Sequence, residues 1–138
     1  MAHENLDNLV KARQLQHEAP VDDEVANLIH SGLVRLADAK IRSLGFASRF
    51  DLAYNAAHAL SLAAMRFAGY RANSRYIVFQ CTQYTLDLEA EKWRILEQAH
   101  RKRNVAEYEG YMQIDEQLLA ALIRVADAIA ERLQDRAD

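Results

Sequence analysis

An all-α fold, an up-and-down bundle of five or six helices, is predicted by three features of the chain. Apolar residues recur at spacings of three and four along most of its length. Only one Pro and four Gly occur, and three of the glycines stand where helical patterns end. Hydrophobic residues make up 51% of the 138 positions, which excludes disorder as the main state and suits one domain with its own core. No internal repeat, linker or low-complexity tract divides it. We therefore treat 1–138 as a single helical domain, with a weakly patterned N-terminal helix in 1–20 and the bundle in 21–135.

The first helix runs from Ala2 to about His17, with only Leu6, Leu9 and Val10 as apolar positions. It is expected on the surface or across a partner, and Pro20 ends it. A second helix starts at Asp22 or Asp23, where acidic side chains suit the positive end of the macrodipole. It carries Val25, Leu28, Ile29, Leu33, Leu36, Ala37 and Ile41 and closes at Gly45. Ser48 opens a third helix, with Asp51 in the S-x-x-D capping arrangement, and Gly69 stops it. Ala53, Ala56, Ala57, Ala59, Ala63 and Ala64 leave this helix nearly smooth, while Leu60, Leu62 and Phe67 supply bulk. A smooth helix admits a close neighbour, so it belongs at the centre of the bundle.

Ser74 is positioned to cap a fourth helix through Tyr76, Ile77, Phe79, Cys81, Tyr84 and Leu86. The β-branched and aromatic run from Tyr76 to Phe79 would also suit a strand, but a lone strand has no sheet to join. A fifth helix begins at Asp87 or Leu88 and passes Trp93, Ile95, Leu96 and Ala99 before Gly110 stops it. The last starts at Asp115 and repeats Leu119, Leu122, Ala126, Ile129 and Leu133, the cleanest amphipathic row in the chain. Leu118, Ile123, Val125 and Ala130 widen that row into one broad core face, part of which could serve a dimer.

Function is suggested in one place, where a dense polar patch interrupts the fifth helix. His100, Arg103, Asn104, Glu107 and Tyr108 fall at helical spacings along one side, with Arg101 and Lys102 beside them. A guanidinium gives bidentate charge-assisted bonds to phosphate oxygens, and an amide and a phenol can orient the rest of a nucleotide. The structural alternative is that these cations satisfy terminal carbonyls at the helix end. On the third helix, Asp51, Asn55 and His58 form a polar stripe with Tyr54 alongside, and a polar stripe on a central helix must find partners. Either its members bond one another or face solvent, or the stripe faces Arg103 and completes a site. The site reading requires Arg103 and Asn104 to stand open toward an anion.

Other chemistry has little support. No two histidines stand at H-x-x-x-H spacing, and with a single Cys no zinc site or internal disulfide is expected. Cys81 reads as a buried thiol in a reducing compartment. There is no Gly-rich phosphate loop, no nucleophile elbow, and no basic start to a helix after Gly45 or Gly69 of the kind that enters a DNA groove. A net charge of -3 means that any anion site is local. The start Met1-Ala2-His3-Glu4-Asn5 lacks the pattern of a signal peptide and no apolar run approaches a membrane span, so a cytoplasmic protein is expected.

The run Phe50-Asp51-Leu52-Ala53-Tyr54-Asn55-Ala56-Ala57, the Gly69-Tyr70-Arg71 stop and above all Arg101-Lys102-Arg103-Asn104-Val105-Ala106-Glu107-Tyr108 resemble the HEPN superfamily of small helical proteins. The resemblance spans roughly Asp22 to Ile129. It implies a compact helical bundle that forms a homodimer in which two copies of the Arg motif face each other. Many members act as metal-independent ribonucleases in toxin-antitoxin and defence systems, and others accompany nucleotidyltransferases or bind nucleotides. The partners implied are RNA or a nucleotide, and an antitoxin or a nucleotidyltransferase, with no metal and no cofactor.

In the family's nuclease motif an Arg and a polar residue are followed, four to six positions on, by a His. Here Arg103 and Asn104 match, but the His position carries Tyr108 between Glu107 and Glu109. An imidazole with a pKa of about 6.5 exchanges protons near neutrality, whereas a phenol near 10 does not do so readily. The resemblance thus implies Arg103, Asn104, Glu107 and Tyr108 as the catalytic set of a ribonuclease, with Asp51, Tyr54, Asn55, His58, His100 and Arg101 binding the ligand. The missing His favours a non-catalytic module that binds nucleotide, RNA or protein through the same patch. If cleavage occurs, His58, His100 or Glu107 must carry the proton. A third reading makes Arg103 and Glu107 an internal ion pair in a protein-association bundle.

Overall fold

The protein's computed structural model describes residues 2–110 and 115–137, and the side chains of 4–106, 109–110 and 115–136. Glu107 and Tyr108, both expected in the site, therefore have side chains outside the described residues. The chain is all-α with two minimal strands. Its elements are α1 (Ala2–Lys11), β1 (Gln16–His17), α2 (Asp22–Ala39), α3 (Phe46–Phe67), β2 (Tyr70–Arg71), α4 (Arg75–Gln80), α5 (Thr82–Thr85), α6 (Ala90–Glu109) and α7 (Glu116–Ala137). The expected fourth helix is present as α4 and α5, separated at Cys81.

The alanine-rich helix is the centre. Ala53, Ala56, Ala57, Ala63 and Ala64 are buried with Phe50, Tyr54 and Leu60, and α2 lies along this surface. The closest approach is at Gly32, where a Cβ would stand 2.6 Å from Leu60 Cγ and 3.3 Å from the Ala56 carbonyl oxygen. Hydrogen in place of methyl lets the two helices come this near. On another side of α3 packs α7, whose Leu119, Leu122, Val125, Ala126, Ile129 and Leu133 are buried in the same cluster. Leu118, Ile123 and Ala130 pack against it from the flank, so the wide row of α7 is core within this chain. Phe67, expected to add bulk, is half exposed at the end of α3.

Helix ends depart from the sequence reading in instructive ways. Helix α3 starts at Phe46 with Gly45 as N-cap, so Ser48 lies inside the first turn and caps nothing. The Ala39 carbonyl at the end of α2 instead accepts from Arg49 Nε at 2.7 Å. Ser74 does hold the N-cap position of α4, without a side-chain cap bond. Glu89 holds the N-cap position of α6, also without a side-chain cap bond, and the helix starts at Ala90, two or three residues later than expected. The preceding Asp87 has a φ of 52°, a left-handed conformation that Asp tolerates. Arg132 of α7 secures that turn by donating to the Leu86 and Asp87 carbonyls and to the Glu89 carboxylate. At the other end of α6, Gly110 adopts the left-handed C-cap expected of it. Asp115 Oδ1 accepts from the Gln117 amide at 2.9 Å and so caps α7.

The N-terminal segment differs most. Its helix stops at Lys11, not near His17, and Arg13 turns the chain at a φ of 64°. Gln16 and His17 then pair antiparallel with Arg71 and Tyr70. Leu6 and Leu15 are buried in a second cluster with Met65, Tyr70, Ile77, Val78 and Cys81. Helix α1 lies at the surface, as expected, and its three apolar residues pack on this cluster of the same chain.

Arg66 fastens this arm. Its side chain is fully buried, and it donates to the carbonyls of Glu18, Ala19 and Tyr70 and to the Glu24 carboxylate at 2.7 Å. Glu18 Oε2 lies 3.2 Å away. Arg71 bonds the same two carboxylates at the surface. These bonds hold the Glu24 carboxyl below its ordinary range, that from Arg71 most strongly and that from Arg66 next. A buried cation is tolerated only when its donors are met in this way.

Two stability outcomes follow. Gly32→Ala gains helix propensity but drives its methyl into Leu60, and urea denaturation should show a net loss of about 1–2 kcal/mol. Arg66→Met removes a buried cation and leaves the Glu18, Ala19 and Tyr70 carbonyls without its donors, while Arg71 keeps both carboxylates paired. It should cost roughly 3–5 kcal/mol and expose residues 12–21 to limited proteolysis before the rest of the chain.

Candidate functional site

Three helices bring the polar residues together around one aromatic ring. Tyr54 of α3 is 1% exposed and stands within the core. Phe50 stacks near it at 6.4 Å and Phe79 of α4 meets it edge-on at 5.6 Å. Over the same ring lie two guanidinium carbons, Arg103 of α6 at 5.2 Å and Arg75 of α4 at 5.6 Å. Both are within the range of a cation–π attraction. Burial fixes the ring, and the ring fixes two cations at the surface.

His100 completes the centre. Its Nδ1 lies 3.0 Å from Tyr54 Oη and its Nε2 lies 3.3 Å from Asn104 Nδ2. With the amide nitrogen turned to Nε2, a neutral ring carries its proton on Nδ1 and donates to the phenol oxygen. With the Asn104 amide turned over, so that its oxygen faces the ring, Nε2 carries the proton and donates instead.

The polar stripe of α3 does meet the α6 patch. Arg103 Nη1 donates to Asp51 Oδ1 at 2.9 Å across the interface. The expectation that Arg103 stands open is corrected by this bond: its side chain is about a quarter exposed and ion-paired to the half-exposed side chain of Asp51. It also rules out the reading in which Arg103 serves only terminal carbonyls of its own helix. Asn55 bonds its amide nitrogen to the Asp51 carbonyl and accepts from Arg75 Nη1 at 3.2 Å. Arg101 points away, two-thirds exposed, with Glu97 at 3.7 Å, as a solvated helix-face pair does. His58 is turned toward Phe79, edge-on at 5.7 Å.

Arg75, Tyr76 and Phe79 belong to the site although the sequence reading gave them no role in it. Arg75 is exposed, and its described hydrogen bond is to the neutral Asn55 amide. Among the described residues it has no carboxylate partner. Tyr76 is 38% exposed, its ring 6.3 Å from His100 and its Oη 3.5 Å from Glu97 Oε2. The available signal was an Arg-Tyr pair opening an otherwise apolar helix just after a cap residue.

Burial sets His58 apart. Burial, then the charges of Arg75 and His100, lower the His58 pKa to about 4. His58 is thus neutral near pH 7 and supplies no positive charge to an anion. Cys81, wholly buried, has its thiol pushed up to about 12 by desolvation and is chemically quiet. No group of His, Cys, Asp or Glu among the described residues could hold a metal ion. No described helix is long and apolar enough to cross a membrane. No protein-family model, curated protein or solved structure matches the chain.

The depressed His58 pKa carries a pH dependence. Between about 6.5 and 4 the unfolded chain binds a proton at this position and the folded one does not, so stability falls as pH falls through that window. Chemical denaturation at pH 7 and pH 5 should show a loss of about 2 kcal/mol attributable to His58. That component should vanish in His58→Gln. An equal loss in the variant would show that His58 is not its source.

Proposed function

We propose that this chain is an RNA-binding, HEPN-like bundle whose patch at Tyr54, Arg75, His100, Arg103 and Asn104 takes the phosphate backbone. The observation that carries the reading is Arg75, an exposed guanidinium without a described carboxylate partner, with a second guanidinium against the same buried ring. A phosphate arriving there meets two cations in fixed positions. Asp51 already neutralises part of Arg103, so Arg75 supplies most of the attraction and Arg103 most of the orientation. The family resemblance adds a homodimer, and a nucleotide as a smaller version of the same ligand. It also adds an antitoxin or a nucleotidyltransferase as the protein partner.

Metal-independent cleavage is the second reading, favoured by His100. Its ring lies between Tyr54 and Asn104 and its helix carries Arg103 one turn on. In that reaction the 2′-oxygen attacks the adjacent phosphorus, giving a 2′,3′-cyclic phosphate, and the bond to the 5′-oxygen breaks. Neutral His100 accepts the 2′-hydroxyl proton, the departing 5′-oxygen takes a proton from water, and the guanidiniums offset charge on the phosphorane. His100 here takes the place of the histidine that the family motif has after the Arg-Asn pair. The alternative within this reading is a binding module that does no chemistry.

Fluorescence anisotropy with a short RNA at low salt tests binding. Arg75→Ala should weaken affinity roughly tenfold and reduce the salt slope by about 0.7. Unchanged affinity in that variant, or no binding by the wild type, overturns the proposal. Incubation with RNA in excess EDTA then separates the two readings. Cleavage lost in both Arg103→Ala and His100→Ala marks an enzyme, and intact RNA with retained binding marks the module.

A further inference from the structure

We infer that the RNA taken by this patch is single-stranded and places one unpaired base on the ring of Tyr76. The inference rests on the RNA-binding reading above and adds what kind of RNA it is. Tyr76 is a large aromatic residue left 38% exposed on a short helix whose next three residues, Ile77, Val78 and Phe79, are buried. The ring is nonetheless set against a neighbour, with His100 at 6.3 Å and an interplanar angle of 45°. An aromatic face that is both accessible and oriented is what an unstacked base requires.

Its neighbours favour a single strand. Arg75 carries a positive charge with no described carboxylate partner and lies over the Tyr54 ring, whose hydroxyl meets His100, and Tyr76 lies against that same His100, so a phosphate on Arg75 sets the attached nucleotide near the Tyr76 ring. Around them stand the carboxylates Asp51 and Glu97. A duplex presents two dense rows of phosphates and would bring some of them against these carboxylates. A flexible strand can direct one phosphate to Arg75 and keep the others away. In a duplex, moreover, each base face is covered by the next base pair, leaving nothing for Tyr76 to stack on. The chain's net charge of -3 likewise gives no general attraction for the denser polyanion.

The test compares an unstructured eight-nucleotide RNA, the same sequence as a duplex, and heparin as a polyanion without bases. Binding to wild type, Tyr76→Ala and Tyr76→Phe is read by anisotropy or competition. Tyr76→Ala should weaken single-strand binding about 5- to 100-fold and leave heparin binding unchanged, while Tyr76→Phe should bind like the wild type. Circular dichroism checks that each variant is folded, as a change at an exposed ring permits. Single-strand affinity that survives Tyr76→Ala, or a wild-type preference for the duplex, overturns the inference and leaves the phosphate site of Arg75 standing. A wild type that binds heparin and RNA alike, insensitive to position 76, identifies a general anion surface and also overturns it. Absence of any RNA binding by the wild type removes the underlying reading as well.

Discussion

The fold depends on how closely other helices can approach α3. Its alanines remove side-chain bulk, and Gly32 removes it from α2 at the crossing, so Leu60 fills the space between the two backbones. Burying this much surface on a helix of 22 residues needs neighbours on most sides. Helix α2 supplies one, α7 another, and α4 with α5 a third. Close-packed interiors leave little slack, so the positions of the surrounding helices are set to within the size of a methyl group.

That constraint is transmitted to the polar face. Tyr54 stands between Ala53 and Asn55 on the same rigid helix and is as buried as the core leucines. Its ring is therefore a fixed platform, and Arg75, Arg103 and His100 arrive on it from two other helices whose own burial is fixed by α3. Sites built on packed helices keep their geometry better than sites on loops. At the far end of α3, Arg66 does related work by different means. It binds the carbonyls of the incoming N-terminal arm and two carboxylates, and so gives the second apolar cluster its closing edge.

Charge is distributed unequally across the patch. Arg103 gives part of its field to Asp51 and Arg101 gives part to Glu97, whereas the hydrogen bond of Arg75 among the described residues is to a neutral amide. Hydrogen bonding to a carboxylate orients a guanidinium and weakens its pull on a third group; bonding to an amide orients it and leaves its charge in place. The pairing with Asp51 thus makes Arg103 a positioned partner instead of an independent anion hook. The same logic divides the histidines. His58 is held neutral by burial and by the cations nearby, while His100 lies between the Tyr54 phenol and the Asn104 amide.

Much of this was written locally. Spacing of apolar residues, the scarcity of Gly and Pro, and the run of alanines determined an all-α bundle with α3 at its centre, because helical periodicity and steric smoothness are properties of a few neighbouring residues. The polar stripe of Asp51, Tyr54, Asn55 and His58 and the cluster at His100, Arg103 and Asn104 could be named for the same reason. Their meeting across 52 positions, as Arg103 with Asp51, could not be fixed by spacing on either helix. Nor could the end of α1 at Lys11, the capping of α2 by Arg49, or the exposure of Tyr76, each of which depends on what another segment places beside it. The sequence alone determined which faces must be buried. Only the tertiary structure decided which cations share a ring and which of them keeps its charge, because Coulomb and hydrogen-bond energies depend on distances that the chain acquires only when folded.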